Sequence, residues 1–207
     1  NYYISCNWKK EENEINGSGF SFSSVFFQRP FGGIFMTNQE VKRRLAAILS
    51  ADMKSYSRLM EENEIGTVQT LTSYREILTT FIRQHKGRVV DAPGDNLLAE
   101  FTSVVEAVQC GVEIQKELKL KNAELPEHRI MEFRIGINLG DVIVKGERIY
   151  GDGVNIAARM EGLAEGGGIC ISGTAYDQVE NKIGLSYEYL GEHTVKNIAR
   201  PVRVYRV

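Results

Sequence analysis

The sequence lacks an excess of charge of either sign: 25 Lys and Arg stand against 27 Asp and Glu, a formal net charge of −2. Such a balance offers no basic field for a nucleic-acid backbone and no polybasic cluster for an anionic membrane surface. A cysteine framework is also lacking. The three cysteines, Cys6, Cys110 and Cys170, are odd in number and have no metal-ligand spacing, so they read as reduced thiols of a cytoplasmic protein. No stretch reaches the ~20 apolar residues that a membrane span requires. The most apolar N-terminal piece, Phe20 to Phe35, is broken by serines and by Arg29-Pro30. There is no internal repeat and no sign of a second domain; 207 residues suit one domain with a real core and a modest extension.

Residues 1–35 are rich in Asn, Glu, Gly, Ser and Phe without helical or strand period, which predicts a poorly ordered or loosely docked extension. The first residue is not Met, and Met36 precedes a well-patterned segment. The functional domain is therefore expected to span 36–207, with the first 35 residues an upstream addition.

Within that domain the chain is organised around Gly87 to Phe101, GRVVDAPGDNLLAEF. Val89-Val90 and Leu97-Leu98 flank Pro93-Gly94-Asp95, which reads as a β-hairpin with φ > 0 at the glycine and a carboxylate at its tip. Upstream, Leu45 to Leu49 reads as a buried strand that delivers Asp52 at its end. A helical pattern from Tyr56 to a stop at Gly87 follows, carried by Leu59, Met60, Val68, Leu71, Tyr74, Ile77, Leu78, Phe81 and Ile82. Ser103-x-x-Glu106 is a capping box for a helix whose buried stripe is Val104, Ala107, Val108, Gly111, Ile114 and Leu118.

Downstream, residues 119–130 read as a loop, and Phe133 to Ile137 and Asp141 to Val144 as two strands joined at Asn138-Leu139-Gly140. A turn at Lys145-Gly146, a helix from Val154 to Leu163, a strand Ile169 to Ile171 and a helix capped by Thr174-x-x-Asp177 come next, and Tyr187 to Leu190 and Val202 to Val207 close the domain. The order β-α-α-β-β-α-β-β-α-β-α-β-β predicts an α+β fold in which a mostly antiparallel sheet is covered by helices on one face.

Three groups of residues could carry chemistry. Asp52 and Asp95 each stand at a strand end or tip; if their strands are neighbours, two carboxylates converge and a hard divalent cation relieves their repulsion. With no His or Cys beside them the choice is Mg²⁺ or Mn²⁺ rather than zinc. Taken singly, Asp95 is a turn former and Asp52 an N-cap of the next helix. The N–H groups of Met53, Lys54, Ser55 and Tyr56 at that helix start would suit the phosphates of a metal-bound nucleotide. Asn155 and Arg159, four apart, share one helix face and form a donor pair for a phosphoryl group, or else a solvated face.

The combination of ILSADMKSYSRLM, GDNLLAEF and YGDGVNIAARMEGLAEGGGICIS resembles the catalytic domain of the class III adenylate and guanylate cyclases over residues 43–207. The resemblance implies a ferredoxin-like, palm-type core working as a head-to-tail homodimer with active sites shared across the interface. Asp52 and Asp95 match the family's metal-binding aspartates, with two Mg²⁺ or Mn²⁺ ions per site. Asn155 and Arg159 match the pair that orients the ribose and stabilises charge on the α-phosphate. Lys196, in HTVKNIARPV, matches the lysine that contacts the terminal phosphates. In the family the aspartates come from one chain and the Asn, Arg and Lys from the other. The implied reaction is cyclisation of ATP or GTP, and regulatory domains in a longer parent protein would be in keeping.

The pattern departs from the family at the purine. Members that use ATP place a lysine four residues before the second metal aspartate and an aspartate or threonine seven before the asparagine; here Asp91 and Arg148 stand there, acceptor and donor exchanged. Members that use GTP place an acidic residue at the first position, as here, and a cysteine at the second. The two residues could instead pair with each other or face solvent. Lysine-bearing relatives being mostly ATP users, ATP is favoured over GTP. A non-catalytic regulatory domain on the same scaffold would be expected to have lost a metal aspartate or Arg159, and neither is lost. A ferredoxin-like nucleic-acid module would need a basic surface that the charge balance denies.

Overall fold

Alternation along β1 (Lys42–Met53) defines the two faces of the sheet. Ala47, Leu49, Ala51 and Met53 enter one buried apolar cluster, while Ala46 and Ile48 enter another, as successive strand residues point to opposite sides. The structure, a computed structural model, describes residues 42–195, 198 and 200–207. The expected extension 1–35, its boundary at Met36, and Lys196 lie outside the described residues.

β1 lies between β3 (Leu97–Phe101) and β4 (Phe133–Lys145) and is antiparallel to both. With β2 (Arg88–Asp91), β6 (Ile169–Ser172), β7 (Glu188–His193) and β8 (Val202–Arg206), the sheet order is β2-β3-β1-β4-β6-β8-β7. A short strand, β5 (Arg148–Tyr150), folds back on β4 where the sequence showed only a turn. β4 and β6 run parallel and the other pairs antiparallel, so the mixed but mostly antiparallel α+β sheet is as expected.

Helices α1 (Tyr56–Gln84), α2 (Val104–Ala123) and α4 (Gly173–Val179) supply Leu78, Ile82, Ile114, Leu118 and Val179 to the larger cluster, against Ile135, Ile137 and Ile171 of the sheet. Helix α3 (Asp152–Leu163) lies on the opposite face: its Ala157 packs with Ala46 and Ile48, and its Met160 with Cys170 and Val204. The expectation of helices on one face alone is corrected by this helix. Gly136 permits its approach, because a Cβ there would fall 2.0 Å from the Glu161 backbone nitrogen and 2.2 Å from the Ala157 carbonyl oxygen. Any side chain at position 136 would push α3 off the sheet.

Local differences have local causes. Helix α1 is broken at Asn63 (φ −159°, ψ 86°); its side chain accepts the Gly66 N–H, and the buried Thr67 hydroxyl donates to Leu59 O at 2.8 Å. The break shifts the buried register to Thr67, Leu71, Tyr74, Leu78 and Ile82, and leaves Val68, expected inside, 45% exposed. Residues 133–145 form one strand, not two. Asn138, Leu139 and Gly140 stay paired with Ile48, Ala47 and Ala46. Their turn-like chemistry is spent in tertiary contacts: the Asn138 amide donates to Gly153 O at 2.9 Å and its oxygen accepts the Thr174 hydroxyl at 3.2 Å. That leaves the capping of α4 to Ser172, whose hydroxyl accepts the Ala175 N–H. The Ser103 cap of α2 is as expected, accepting from Glu106 N–H, and all six residues of the expected stripe are buried.

Candidate active site

Strand parity brings Asp52 to the α3 face of the sheet, at the last turn of pairing before β1 ends. It is not the N-cap of α1, a place taken by Ser55, which has left-handed φ and makes no side-chain cap. Asp95 sits in the turn between β2 and β3. Asn96 N–H closes that turn on Pro93 O at 3.0 Å, and Gly94 takes φ +57°, the left-handed conformation read from the sequence. Since β3 is β1's neighbour, the two strand ends deliver their carboxylates to one place, within hydrogen-bonding reach of each other.

Electrostatics records the convergence. Burial raises the Asp95 carboxyl above its ordinary value, the facing Asp52 carboxylate raises it further, and Arg75 opposes the rise. Arg75 also fixes the turn from below. Its Nη2 reaches from α1 to the carbonyl oxygens of Ala92, Gly94 and Asn96, which makes the Asp95 turn part of the helix surface rather than a free tip.

Arg134 stands directly opposite Asp52 in the β1–β4 ladder, and its Nη2 lies 2.5 Å from Asp52 Oδ2. The same nitrogen lies 3.2 Å from Oε1 of Glu161, on the sheet-facing side of α3. Glu161 is 7% exposed; burial pushes its carboxyl up to about 7, with Asp52 and Asp95 adding to the rise and Arg134 opposing it. Sequence reasoning missed Arg75, Arg134 and Glu161. A signal existed for Arg134: in FRIGI it has the parity opposite to Phe133, Ile135 and Ile137, and so the parity of Asp52's partner.

A hard divalent cation fits Asp52 and Asp95, because two oxygen-donor carboxylates held together repel until a cation is shared between them. Among the described residues no cluster of three or more His, Cys, Asp or Glu side chains is placed to hold a metal ion. Water and phosphate oxygens would therefore complete the shell of such an ion, the usual habit of Mg²⁺.

The expected phosphate cradle is corrected in part. Met53 is buried and continues the ladder opposite Phe133, and Lys54 gives its N–H to Glu132 O at 2.9 Å, so neither opens a helix. The helix starts later, at Tyr56, which leaves Ser55 and Tyr56 at its N-terminus.

Asn155 and Arg159 are both exposed on α3. At 100° per residue, Glu161 is turned about 200° from Arg159, so the helix presents Glu161 to Arg134 and the Asn155–Arg159 pair to the opposite side. The structure thus brings Asp52, Asp95, Arg134 and Glu161 together and directs Asn155 and Arg159 away from them. Asp91 and Arg148 come together through β5: Arg148 Nη2 lies 3.7 Å from Asp91 Oδ2, with both side chains substantially exposed. Cys110 and Cys170 are free, buried thiols, the former pushed up to about 12 by burial and nearby glutamates, so neither is a nucleophile at neutral pH. No described helix is long and apolar enough to cross a membrane.

A family model described as the adenylate and guanylate cyclase catalytic domain matches residues 39–207. A Rhizobium meliloti (strain 1021) protein provisionally named adenylate cyclase 3 is 43% identical over 171 residues, 82% of this chain; the match spans only 29% of that relative. Among solved structures, an adenylate/guanylate cyclase/hydrolase from Silicibacter pomeroyi is similar at TM-score 0.76 and 40% identity, covering 80% of this chain and 97% of that one. The guanylyl cyclase Cya2 is similar at TM-score 0.69 and 26% identity, covering 81% of this chain and 93% of that one.

Proposed function

The chain belongs to the adenylate and guanylate cyclase catalytic domain family, and on that premise we propose that it converts a purine nucleoside triphosphate, ATP in preference to GTP, into its 3′,5′-cyclic monophosphate and pyrophosphate. The observation that carries the reading is the meeting of Asp52 and Asp95 beside Arg134, a charged site built at two adjacent strand ends. Asp52 and Asp95 would hold the divalent ions, Mg²⁺ or Mn²⁺, two per site. Bound there, such ions supply Lewis-acid neutralisation of the ribose hydroxyl and the phosphates.

The chain's own residues do the rest. In the reaction the ribose 3′-oxygen forms a bond to the α-phosphorus while the bond to the bridging oxygen of the β-phosphate breaks, and pyrophosphate leaves. Negative charge on the α-phosphoryl oxygens is greatest between those states. Arg159 donates to that charge and Asn155 orients the ribose, so both are more useful to the transition state than to the bound substrate. Arg134, beside Asp52, and the Ser55 and Tyr56 N–H groups at the start of α1 would meet phosphate oxygens. Lys196 is proposed for the terminal phosphates on the strength of the motif alone.

Helix α3 supports the shared-site arrangement. It presents Asn155 and Arg159 on the side opposite Glu161, so the donor pair serves the aspartates of a second copy and not those of its own chain. Purified protein supplied with ATP or GTP and Mn²⁺ should yield the cyclic product. Mixing inactive Asp95→Ala with inactive Arg159→Ala should restore about a quarter of wild-type activity, since half of the randomly exchanged dimers carry one intact site. No recovery despite demonstrated chain exchange would place each site within a single chain.

The purine is read, on this proposal, by Asp91 and Arg148. A carboxylate only accepts and a guanidinium only donates. Their 3.7 Å approach favours a pair that partly satisfies itself, and hence modest selectivity. Cytoplasmic placement and regulatory segments elsewhere in a longer protein complete the proposal.

A further inference from the structure

Arg134 is shared between two carboxylates through one nitrogen, 2.5 Å from Asp52 and 3.2 Å from Glu161. Its Nε is buried and has no hydrogen-bond partner, although a guanidinium offers five donors and is best used as a two-pronged fork. The side chain is therefore held between two seats and fills neither. Glu161 is a built seat: α3 is pressed against β4 at Gly136, which fixes the helix backbone at residue 161 itself. A carboxylate so enclosed is costly to ionise without a cation beside it.

We propose that in the nucleotide-free chain Arg134 neutralises Asp52 when no divalent ion is present and transfers to Glu161 when one binds, from where it can still turn to arriving phosphates. The proposal rests on the reading of Asp52 and Asp95 as the metal pair, and adds where the displaced positive charge goes. Without the second seat, an arriving cation would have to expel Arg134 from Asp52 into no compensating contact. With it, the guanidinium turns by a short distance, recovers a two-pronged pairing on Glu161, and leaves both Asp52 oxygens to the ion. The same movement strengthens the tie between β4 and α3, the helix that carries Asn155 and Arg159.

The test is Mn²⁺ affinity of the purified chain without nucleotide, by titration calorimetry, with melting curves to confirm folding. Arg134→Gln removes the competitor and should tighten Mn²⁺ binding at least fivefold. Glu161→Gln removes the second seat and should weaken it at least fivefold. In the double variant the Glu161 change should matter less than twofold, because no guanidinium remains to be seated, whereas Arg134→Lys keeps a competing cation and should stay within threefold of wild type. Should Glu161→Gln not fold, Glu161→Asp draws the seat back by one methylene and should weaken Mn²⁺ binding in the same Arg134-dependent way. A Glu161 effect of equal size with and without Arg134 would make Glu161 a distant charge and overturn the proposal, as would an Arg134→Gln variant that binds Mn²⁺ no better than wild type. Equal Mn²⁺ binding by wild type and Asp52→Ala would overturn the metal reading itself, and is seen without recourse to either variant.

Discussion

The two faces of the sheet differ in what they bury. Toward α1 and α2, the strands present Leu49, Met53, Phe101, Phe133, Ile135 and Ile137, a continuous apolar layer with no charge in it. Toward α3, the same strands present Ile48 and Ala46, but also Asp52 and Arg134, with Arg44 and Arg88 both bonded to Glu100 further along. Strand pairing is common to both faces, so the backbone is indifferent to the contrast. The first face buries the larger apolar cluster and the second two smaller ones, so charge can be held on the second because the first has already secured the strands. Site residues can therefore be unfavourable for stability, as the repulsion between Asp52 and Asp95 is, without loss of the fold.

The comparison breaks most visibly on the apolar face. Ile135→Ala removes a fully buried side chain from the larger cluster and should cost about 2–5 kcal/mol, measured by chemical denaturation. Mn²⁺ affinity per folded molecule should be unchanged; a matching loss of metal affinity would mean that the faces are not separable.

On the charged face the expected effect is on rate. Asp52→Ala or Asp95→Ala should lower kcat by roughly 10² to 10³, since each removes charge that the ions need; activity within tenfold of wild type would remove the metal assignment. Stability should move the other way for Asp95. Its carboxyl pKa is raised in the folded protein, so the stability it contributes is present below its unfolded pKa and is lost as pH rises through the folded value. At neutral pH the ionised group is a cost, and metal-free Asp95→Ala should melt no lower than wild type.

The smallest effect concerns the edge that belongs to neither face. Asp91→Lys with Arg148→Asp exchanges donor and acceptor between β2 and β5 and keeps their attraction. The ATP to GTP ratio of kcat/KM should rise by at least tenfold, about 1.4 kcal/mol, if these residues read the base. An unchanged ratio in a folded, active double variant would leave them a surface ion pair.

Much of this was legible in the chain because the signals are local. The Ser103 cap, the α2 stripe, the positive φ of Gly94 and the delivery of Asp52 and Asp95 at strand ends all follow from residues within a few positions of each other. What failed was whatever a distant partner decides. Asn138-Leu139-Gly140 has turn chemistry, yet the Asn138 amide is spent on Gly153, and the strand runs through. Met53 was read as opening a helix, but pairing with Phe133 prolongs β1. Val68 fitted a continuous helical stripe that Asn63 interrupts.

By itself the sequence determined the class of the fold, the family, and that Asp52 and Asp95 stand at strand ends, because period, caps and turn residues act over short range and the motifs are contiguous. Only the tertiary structure decided that α3 lies alone on the second face, that Arg75 grips the Asp95 turn, and that Arg134 is divided between Asp52 and Glu161. Those contacts join residues 17 to 82 positions apart, from Arg75 with Ala92 to Asp52 with Arg134. Pairing at such separations is set by strand order and by the close approach that Gly136 allows, and neither has a periodic mark in the chain.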